Sequence, residues 1–83
     1  MTLWFENRDG IEREIAQVET WKDVHEGIDK FIADCNARKP IDAKPFRSFY
    51  TRIWRQPDGR FRLDVGSHTE FFITDLPYEG DVV

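Results

Sequence analysis

Three short strands joined by two turns are predicted between residues 48 and 74, the stretch SFYTRIWRQPDGRFRLDVGSHTEFFIT. The strands are predicted at residues 48–55, 60–65 and 70–74. In the first turn, Pro57 presets one backbone dihedral and Gly59 accepts a left-handed one, and Gly66 opens a second turn in which we expect it to have a positive φ. These three consecutive antiparallel strands therefore form the predicted centre of the fold, and the other segments are expected to pack around them.

A second hairpin is predicted at the N-terminus. Its strands are Leu3–Asn7 and Ile11–Val18, and the turn between them contains Asp9-Gly10, a strong short-range hairpin signal. The apolar residues of the second strand change sides along its length, since Ile15 and Ala16 are adjacent. A bulge or an early strand end would reconcile this pattern with one buried face.

One helix is predicted after the hairpin. Thr20 can cap its first N–H groups, and Asp23 stands at the third helical position, where a carboxylate favours the helix N-terminus. An apolar stripe follows a period of 3.6 residues: Trp21, Val24, Ile28, Phe31, Ile32 and Cys35. Gly27 would let this helix approach the sheet closely, and the helix is expected to end within residues 36–39, before Pro40.

The predicted fold is therefore α+β, with the order ββαβββ and one helix packed on one face of a twisted, five-stranded antiparallel sheet. The 83 residues leave no room for a second core, so residues 1–76 are predicted to be a single domain. Residues 77–83 are acidic and contain Pro and Gly, and we expect them to be a frayed tail.

A single helix covers only one face of such a sheet, so the two faces of the strands have different roles. The expected core face carries Phe49, Thr51, Ile53, Phe61, Leu63, Val65, Phe71 and Ile73. The opposite face carries Tyr50, Arg52, Trp54, Arg60, Arg62, Asp64, Phe72 and Thr74, and Trp4 is expected to join it.

We predict a binding site on this opposite face. Its candidate residues are Trp4, Tyr50, Arg52, Trp54, Arg60, Arg62 and Phe72, together with His68 from the neighbouring loop as a contact residue. Aromatic rings and arginines suit an interface with a protein, or stacking on a nucleotide or nucleic acid. The alternative is that the arginine stems lie over the rings and only shield the sheet from water.

Charge is distributed unevenly along the chain. Residues 38–62 hold eight of the twelve basic side chains and only two of the sixteen acidic ones, although the formal net charge is −4. Such a separation can orient a charged partner, but the acidic remainder opposes wrapping by a long polyanion. The charge distribution therefore disfavours nucleic acid as the partner and leaves it as the alternative to a protein.

Catalytic and metal-binding patterns are weak. Asp64, Ser67 and His68 are the types found in hydrolase triads, but adjacent residues of an extended chain point apart and no nucleophile elbow surrounds the serine. His25 and His68 are far apart, and Cys35 belongs to the apolar helix stripe. We expect no enzyme activity, metal or cofactor, and no apolar run predicts a signal peptide or membrane span. The expected location is the cytoplasm.

Three segments stand out as motifs: Phe5-Glu6-Asn7, Tyr50-Thr51-Arg52-Ile53-Trp54 and Asp64 through Phe72, which reads Asp-Val-Gly-Ser-His-Thr-Glu-Phe-Phe. In these segments the chain resembles a group of small proteins encoded by bacteriophages and prophages. The resemblance implies an accessory protein that acts in the host cytoplasm, and it supplies no catalytic residues.

By analogy with such proteins, the expected function is to bind and modulate or inhibit a host protein, including defence machinery. A nucleotide or nucleic-acid binding module is the alternative, and a structural role in phage assembly is a third. The oligomeric state is left open.

Overall fold

The computed structural model describes residues 1–39 and 51–78. Its elements are β1 (Thr2–Glu6), β2 (Glu12–Gln17), α1 (Trp21–Ala37), β3 (Arg52–Arg55), β4 (Phe61–Asp64) and β5 (Phe71–Thr74). The predicted order ββαβββ is confirmed. The expected first strand of the meander begins in the sequence at residue 48, and its residues up to Tyr50 lie outside the described residues.

Both hairpins close with the same turn geometry. In the first, Asn7 N–H donates to Ile11 O at 3.0 Å, and in the second, Gln56 N–H donates to Arg60 O at 2.7 Å. The glycine before each closing residue has a positive φ, 81° and 90° respectively. Glycine adopts this conformation without the steric cost that a side chain would add, so each Asp-Gly pair sets the turn.

The pairing of β1 with β2 contains the predicted irregularity. Leu3 is paired with Ala16 and Trp4 with Glu14, so Ile15 is an extra residue in β2. This bulge explains why the apolar residues of β2 change sides: Ala16 faces the same way as Leu3, and Ile15 does not continue the alternation.

Helix α1 begins with a capping box. Thr20 Oγ1 accepts from Asp23 N–H at 3.2 Å, and Asp23 Oδ2 accepts from the N–H groups of Glu19 and Thr20. The helix ends at Ala37, within the predicted range. Gly27 faces the hairpin, and a Cβ atom there would lie 2.9 Å from Leu3 Cδ2. The absence of a side chain thus allows the close approach that the sequence predicts.

The strands follow the order β2-β1-β5-β4-β3, and every pair is antiparallel. The last strand in the sequence, β5, is therefore in the middle of the sheet, between β1 and β4. Helix α1 packs on one face of this sheet. The buried core comprises Leu3, Val18, Val24, Ile28, Ile32, Ile53, Phe61, Leu63, Val65, Phe72 and Leu76.

The predicted face assignment of β5 is wrong. Leu63 is paired with Phe72, so Phe72 faces α1 and is 0% exposed, 5.8 Å from the ring of Phe31. Phe71 and Ile73 lie on the opposite face, where Phe72 and Thr74 were expected. Both sides of this strand carry apolar residues, Phe71 and Ile73 on one side and Phe72 on the other, so alternation alone could not choose between them.

Two predicted core aromatics of α1 are only partly buried. Phe31 contacts Phe5 with ring centroids 4.5 Å apart, and Trp21 Nε1 donates to Pro77 O at 2.7 Å. Tyr78 packs against Trp21 at 4.7 Å. The first two residues of the segment expected as a tail thus contact the helix, and residues 79–83 lie outside the described residues.

Candidate functional site

The sheet surface opposite α1 is built from one cross-strand row and its neighbours. The row runs from Trp4 through Ile73 and Arg62 to Trp54, one residue from each of four adjacent strands. We call this surface the aromatic–arginine face; it consists of Trp4, Glu6, Glu12, Arg52, Trp54, Arg60, Arg62, Phe71 and Ile73. Ile73 is 0% exposed, whereas both tryptophans are partly exposed.

Each aromatic ring of this face has a guanidinium over it. Arg60 Cζ lies 5.1 Å from the centroid of a Trp4 ring, and Arg62 Cζ lies 4.8 Å from that of Phe71. Arg52 Cζ lies 4.9 Å from a Trp54 ring. These distances are within the range of attractive cation–π contacts. Each of these rings therefore has a positive charge in contact with it within the protein.

Arg62 is also paired with a carboxylate. Its Nη1 and Nη2 groups lie 2.9 and 3.0 Å from the two oxygens of Glu6, a bidentate arrangement, and Nε donates to Gln56 Oε1 at 2.8 Å. Glu6 and Arg62 are largely covered, so this ion pair is less screened than a fully exposed one. Arg62 is thus bound by Glu6 and Gln56 within the protein.

Arg60 is held by two carboxylates. Its Nη groups contact both oxygens of Glu12, and Nε donates to Asp58 Oδ2 at 2.8 Å. The hydrogen bond from Arg60 lowers the pKa of Glu12. The backbone N–H of Arg60 and then its guanidinium lower the pKa of Asp58, and the bond to Glu12 raises the pKa of Arg60. Four charged side chains of the aromatic–arginine face, Arg60, Arg62, Glu6 and Glu12, are therefore paired with one another. Asp58, outside the face, is a second partner of Arg60.

The arginines of β3 are different. Among the described residues, neither Arg52 nor Arg55 contacts a carboxylate: Arg52 lies over Trp54, and Arg55 lies over Phe61 on the side of the sheet that faces α1. Within the described residues, Arg60 and Arg62 are thus paired with carboxylates, whereas Arg52 and Arg55 are not in contact with one; the residue opposite Arg52 in β4 is Asp64.

A buried carboxylate organises the loop after β4. Asp64 is 2% exposed, and its Oδ1 accepts from Gly66 N–H at 2.9 Å and from His68 N–H at 3.3 Å. Its Oδ2 lies 2.9 Å from His68 Nδ1. Burial acts to raise the pKa of Asp64, but the hydrogen bonds from Gly66 and His68 outweigh it and the pKa is lowered. Asp64 therefore holds the loop as an ionised acceptor.

Two residues of this loop have left-handed backbone conformations. Gly66 has a φ of 116°, as predicted, and His68 has a φ of 64°. The His68 side chain is 63% exposed, although its ring is tied to Asp64. Ser67 Oγ lies 3.2 Å from Thr69 Oγ1 and 3.4 Å from Glu70 Oε1, which agrees with a role in stabilising the turn.

No protein-family model matches the chain, and neither does any curated protein or solved structure. In residues 1–39 and 51–78, the side chains that commonly bind metals do not form any group of three that could hold an ion. The only helix of the described segments is too short and too polar to cross a membrane.

The structure brings together most of the residues predicted for the site. Trp4, Arg52, Trp54, Arg60 and Arg62 share the aromatic–arginine face. Phe72 is not part of it, because it is buried against α1. His68 is in the loop next to the face, and Tyr50 lies outside the described residues.

Glu6, Glu12 and Phe71 also belong to this face but were not among the predicted site residues. Glu6 and Glu12 are directly opposite each other in the first hairpin, an arrangement of like charges that is destabilising without nearby cations. The predicted hairpin turn already implied that Glu6 and Glu12 are opposite each other. This pairing was a sign in the sequence that arginines from another strand lie close to them.

Proposed function

We propose that this protein is a non-enzymatic binding domain and that its aromatic–arginine face docks a partner protein. One observation carries the proposal: Arg60 and Arg62 are tied to internal carboxylates, while the rings of Trp4, Trp54 and Phe71 remain partly exposed beside them. Tryptophan and arginine are the residues most enriched among the strongest contributors to protein interfaces. Their internal contacts reduce the entropy that is lost on binding, which favours affinity.

The same ion pairs disfavour nucleic acid as the partner. A phosphate would have to compete with Glu6 for Arg62 and with Glu12 and Asp58 for Arg60. Those carboxylates would also repel a phosphate backbone that approached the face. Nucleic-acid affinity depends on neutralising several phosphates at once, and internally paired arginines contribute little to this.

The resemblance to phage-encoded proteins supports a host protein as the partner, with modulation or inhibition as the outcome and host defence as one target class. A partner from the phage particle would instead support the assembly role. The proposal assigns no reaction to the loop at Asp64 and His68, whose hydrogen bonds serve the turn.

Affinity capture with Trp54→Ala tests the proposal. We expect wild-type protein to retain a specific partner from host lysate and the variant to lose it while keeping the wild-type melting temperature, because the ring is at the edge of the face and outside the core cluster. Ile11→Ala is the matched control, since Ile11 is 63% exposed and lies at the far end of the first hairpin.

Two results would contradict this function. Equal capture by wild type, Trp54→Ala and Phe71→Ala would show that the partner binds elsewhere. Submicromolar, salt-sensitive binding to an oligonucleotide that is lost in Arg52→Glu would instead support the nucleic-acid alternative.

A further inference from the structure

Strand β3 is at one edge of the sheet, and its hydrogen-bonding phase can be assigned. Hydrogen-bonded and non-hydrogen-bonded residue pairs alternate along antiparallel strands. Gln56 and Arg60 form a hydrogen-bonded pair, so the next such pair along the ladder is Trp54 with Arg62. The backbone N–H and C=O groups of Ile53 and Arg55 therefore point away from β4, toward the edge.

The charges at this edge differ from those at the other edge. Arg52 and Arg55 both belong to β3 and have no carboxylate partner among the described residues. The opposite edge strand, β2, carries Glu12, Arg13 and Glu14 and is interrupted by the bulge, a feature that hinders further strand pairing. Of the two edges, β3 is the one suited to an additional strand, and its charge selects a negative one.

We propose that the partner contributes an extended acidic segment that pairs with β3 as a sixth strand, an inference that rests on the proposed function. Backbone hydrogen bonds to Ile53 and Arg55 would supply affinity, as in other cases where a peptide extends a sheet. Side chains on one side of the added strand would be next to Arg52 and Trp54, and those on the other side next to Arg55. Acidic residues in either position meet an arginine.

A second copy of this chain fits the edge less well. Pairing β3 with β3 of another molecule would bring Arg52 and Arg55 of both molecules onto neighbouring strands, and in the part of the chain that the structure describes these arginines contact no carboxylate. Like charges on adjacent strands destabilise the pairing. An acidic segment gives the opposite sign at the same positions, so charge complementarity decides between the two occupants.

The probe is an acetylated, amidated octapeptide in which Glu and Val alternate, with the Lys–Val peptide as its charge-reversed control. Binding is followed by amide NMR of the full-length protein. We expect the Glu–Val peptide to shift and protect the amides of Ile53 and Arg55, which exchange faster than that of Trp54 in the free protein. The Lys–Val peptide should not bind.

Substitutions at Arg55 separate the backbone from the charge. Arg55→Ala removes only the side chain, whereas Arg55→Pro also removes an N–H that points away from β4, where proline is tolerated. We expect Arg55→Pro to bind the Glu–Val peptide up to about tenfold more weakly than Arg55→Ala. Should Arg55→Pro fail to fold, two N-methylated peptides give the same test, one methylated at the odd-numbered residues and the other at the even-numbered residues. We expect one of them to lose binding, because its methyl groups replace the N–H groups that face β3, and the other to keep it.

Several outcomes would overturn the inference: no binding of the Glu–Val peptide at millimolar concentration, equal binding of both peptides, equal effects of the two N-methylation phases, or slow exchange of the Ile53 amide in the free protein. If the protein forms a dimer and Arg55→Pro dissociates it, the added strand comes from a second copy of this chain.

The same experiments distinguish the added strand from the proposed function. A captured partner that depends on Trp54 but not on Arg55→Pro would leave the proposed function intact and refute the added strand, whereas capture independent of Trp54 would refute the proposed function.

Discussion

At the scale of single residues, Asp64 shows how a buried charge can organise a turn. Two backbone N–H groups and the ring of His68 satisfy its carboxylate, and an ionised side chain is therefore stable at 2% exposure. The left-handed conformations of Gly66 and His68 bring those groups to it. By accepting hydrogen bonds from the backbone, aspartate at this position thus fixes the conformation of the four residues that follow it.

The first prediction is that Asp64→Asn lowers the free energy of unfolding at pH 7. We also expect the free energy of unfolding of the variant to fall less than that of the wild type as the pH is lowered. The pKa of Asp64 is lower in the folded than in the unfolded protein, so its contribution is present above the unfolded value of about 3.8 and disappears as the pH falls through the folded value. We expect a loss of about 1–3 kcal/mol at pH 7.

Urea unfolding at pH 7 and at successively lower pH measures this effect. Asp29→Asn, on the exposed side of α1, is the control. Parallel stability curves for wild-type protein and Asp64→Asn across the acid range would show that the carboxylate does not stabilise the loop through its charge.

At the scale of elements, α1 depends on its first turn as well as on its buried stripe. Thr20 and Asp23 satisfy N–H groups at the start of the helix that would otherwise have no partner within it. The buried residues Val24, Ile28 and Ile32 then fix the helix on the sheet. Capping and periodicity are both local in sequence, which explains why the bounds of α1 were predictable.

The second prediction concerns the cap. Thr20→Ala should lower the free energy of unfolding by about 0.5–2 kcal/mol, because the N–H of Asp23 loses its acceptor. Thermal unfolding followed by far-UV circular dichroism provides the measurement. Thr51→Ala is the matched control, because Thr51 is exposed and its predicted place on the core face is wrong. An equal loss in both variants would argue against a specific capping role.

The element that sequence reasoning placed incorrectly is β5. Phe71, Phe72 and Ile73 are consecutive and apolar, so the period-two pattern has no polar side from which its orientation could be derived. The pairing of Leu63 with Phe72 determines which face of β5 is buried. The loop at Asp64–His68 connects the two strands and so contributes to this register. Strands with one polar face were predicted correctly; this central strand required the tertiary structure.

The third prediction compares the two phenylalanines. Phe72→Ala should cost about 3–5 kcal/mol, because it creates a cavity beneath α1. Phe71→Ala should cost about 1–2 kcal/mol and should weaken partner capture, since its ring is partly exposed on the aromatic–arginine face. Denaturant unfolding measures both, and a reversed order of the two losses would contradict the observed register.

At the scale of the whole molecule, the ion pairs connect segments that are distant in the sequence. Glu6 and Glu12 in the first hairpin contact Arg62 in β4 and Arg60 just before it, more than 45 residues away. The sequence predicted which arginines and tryptophans share a face, because alternation within a strand is local. It did not predict their acidic partners, because that requires the strand order.

The central position of β5 has a consequence for the order of folding. Each hairpin can close through contacts between residues that are near in sequence, but in the described sheet β1 and β4 do not pair with each other and each pairs with β5. The pair Leu3 and Thr74 is separated by almost the whole described chain. Contacts of such large sequence separation slow folding, because a long loop must close before they form. During synthesis, neither half of the sheet can be joined to the other until Thr74 has left the ribosome.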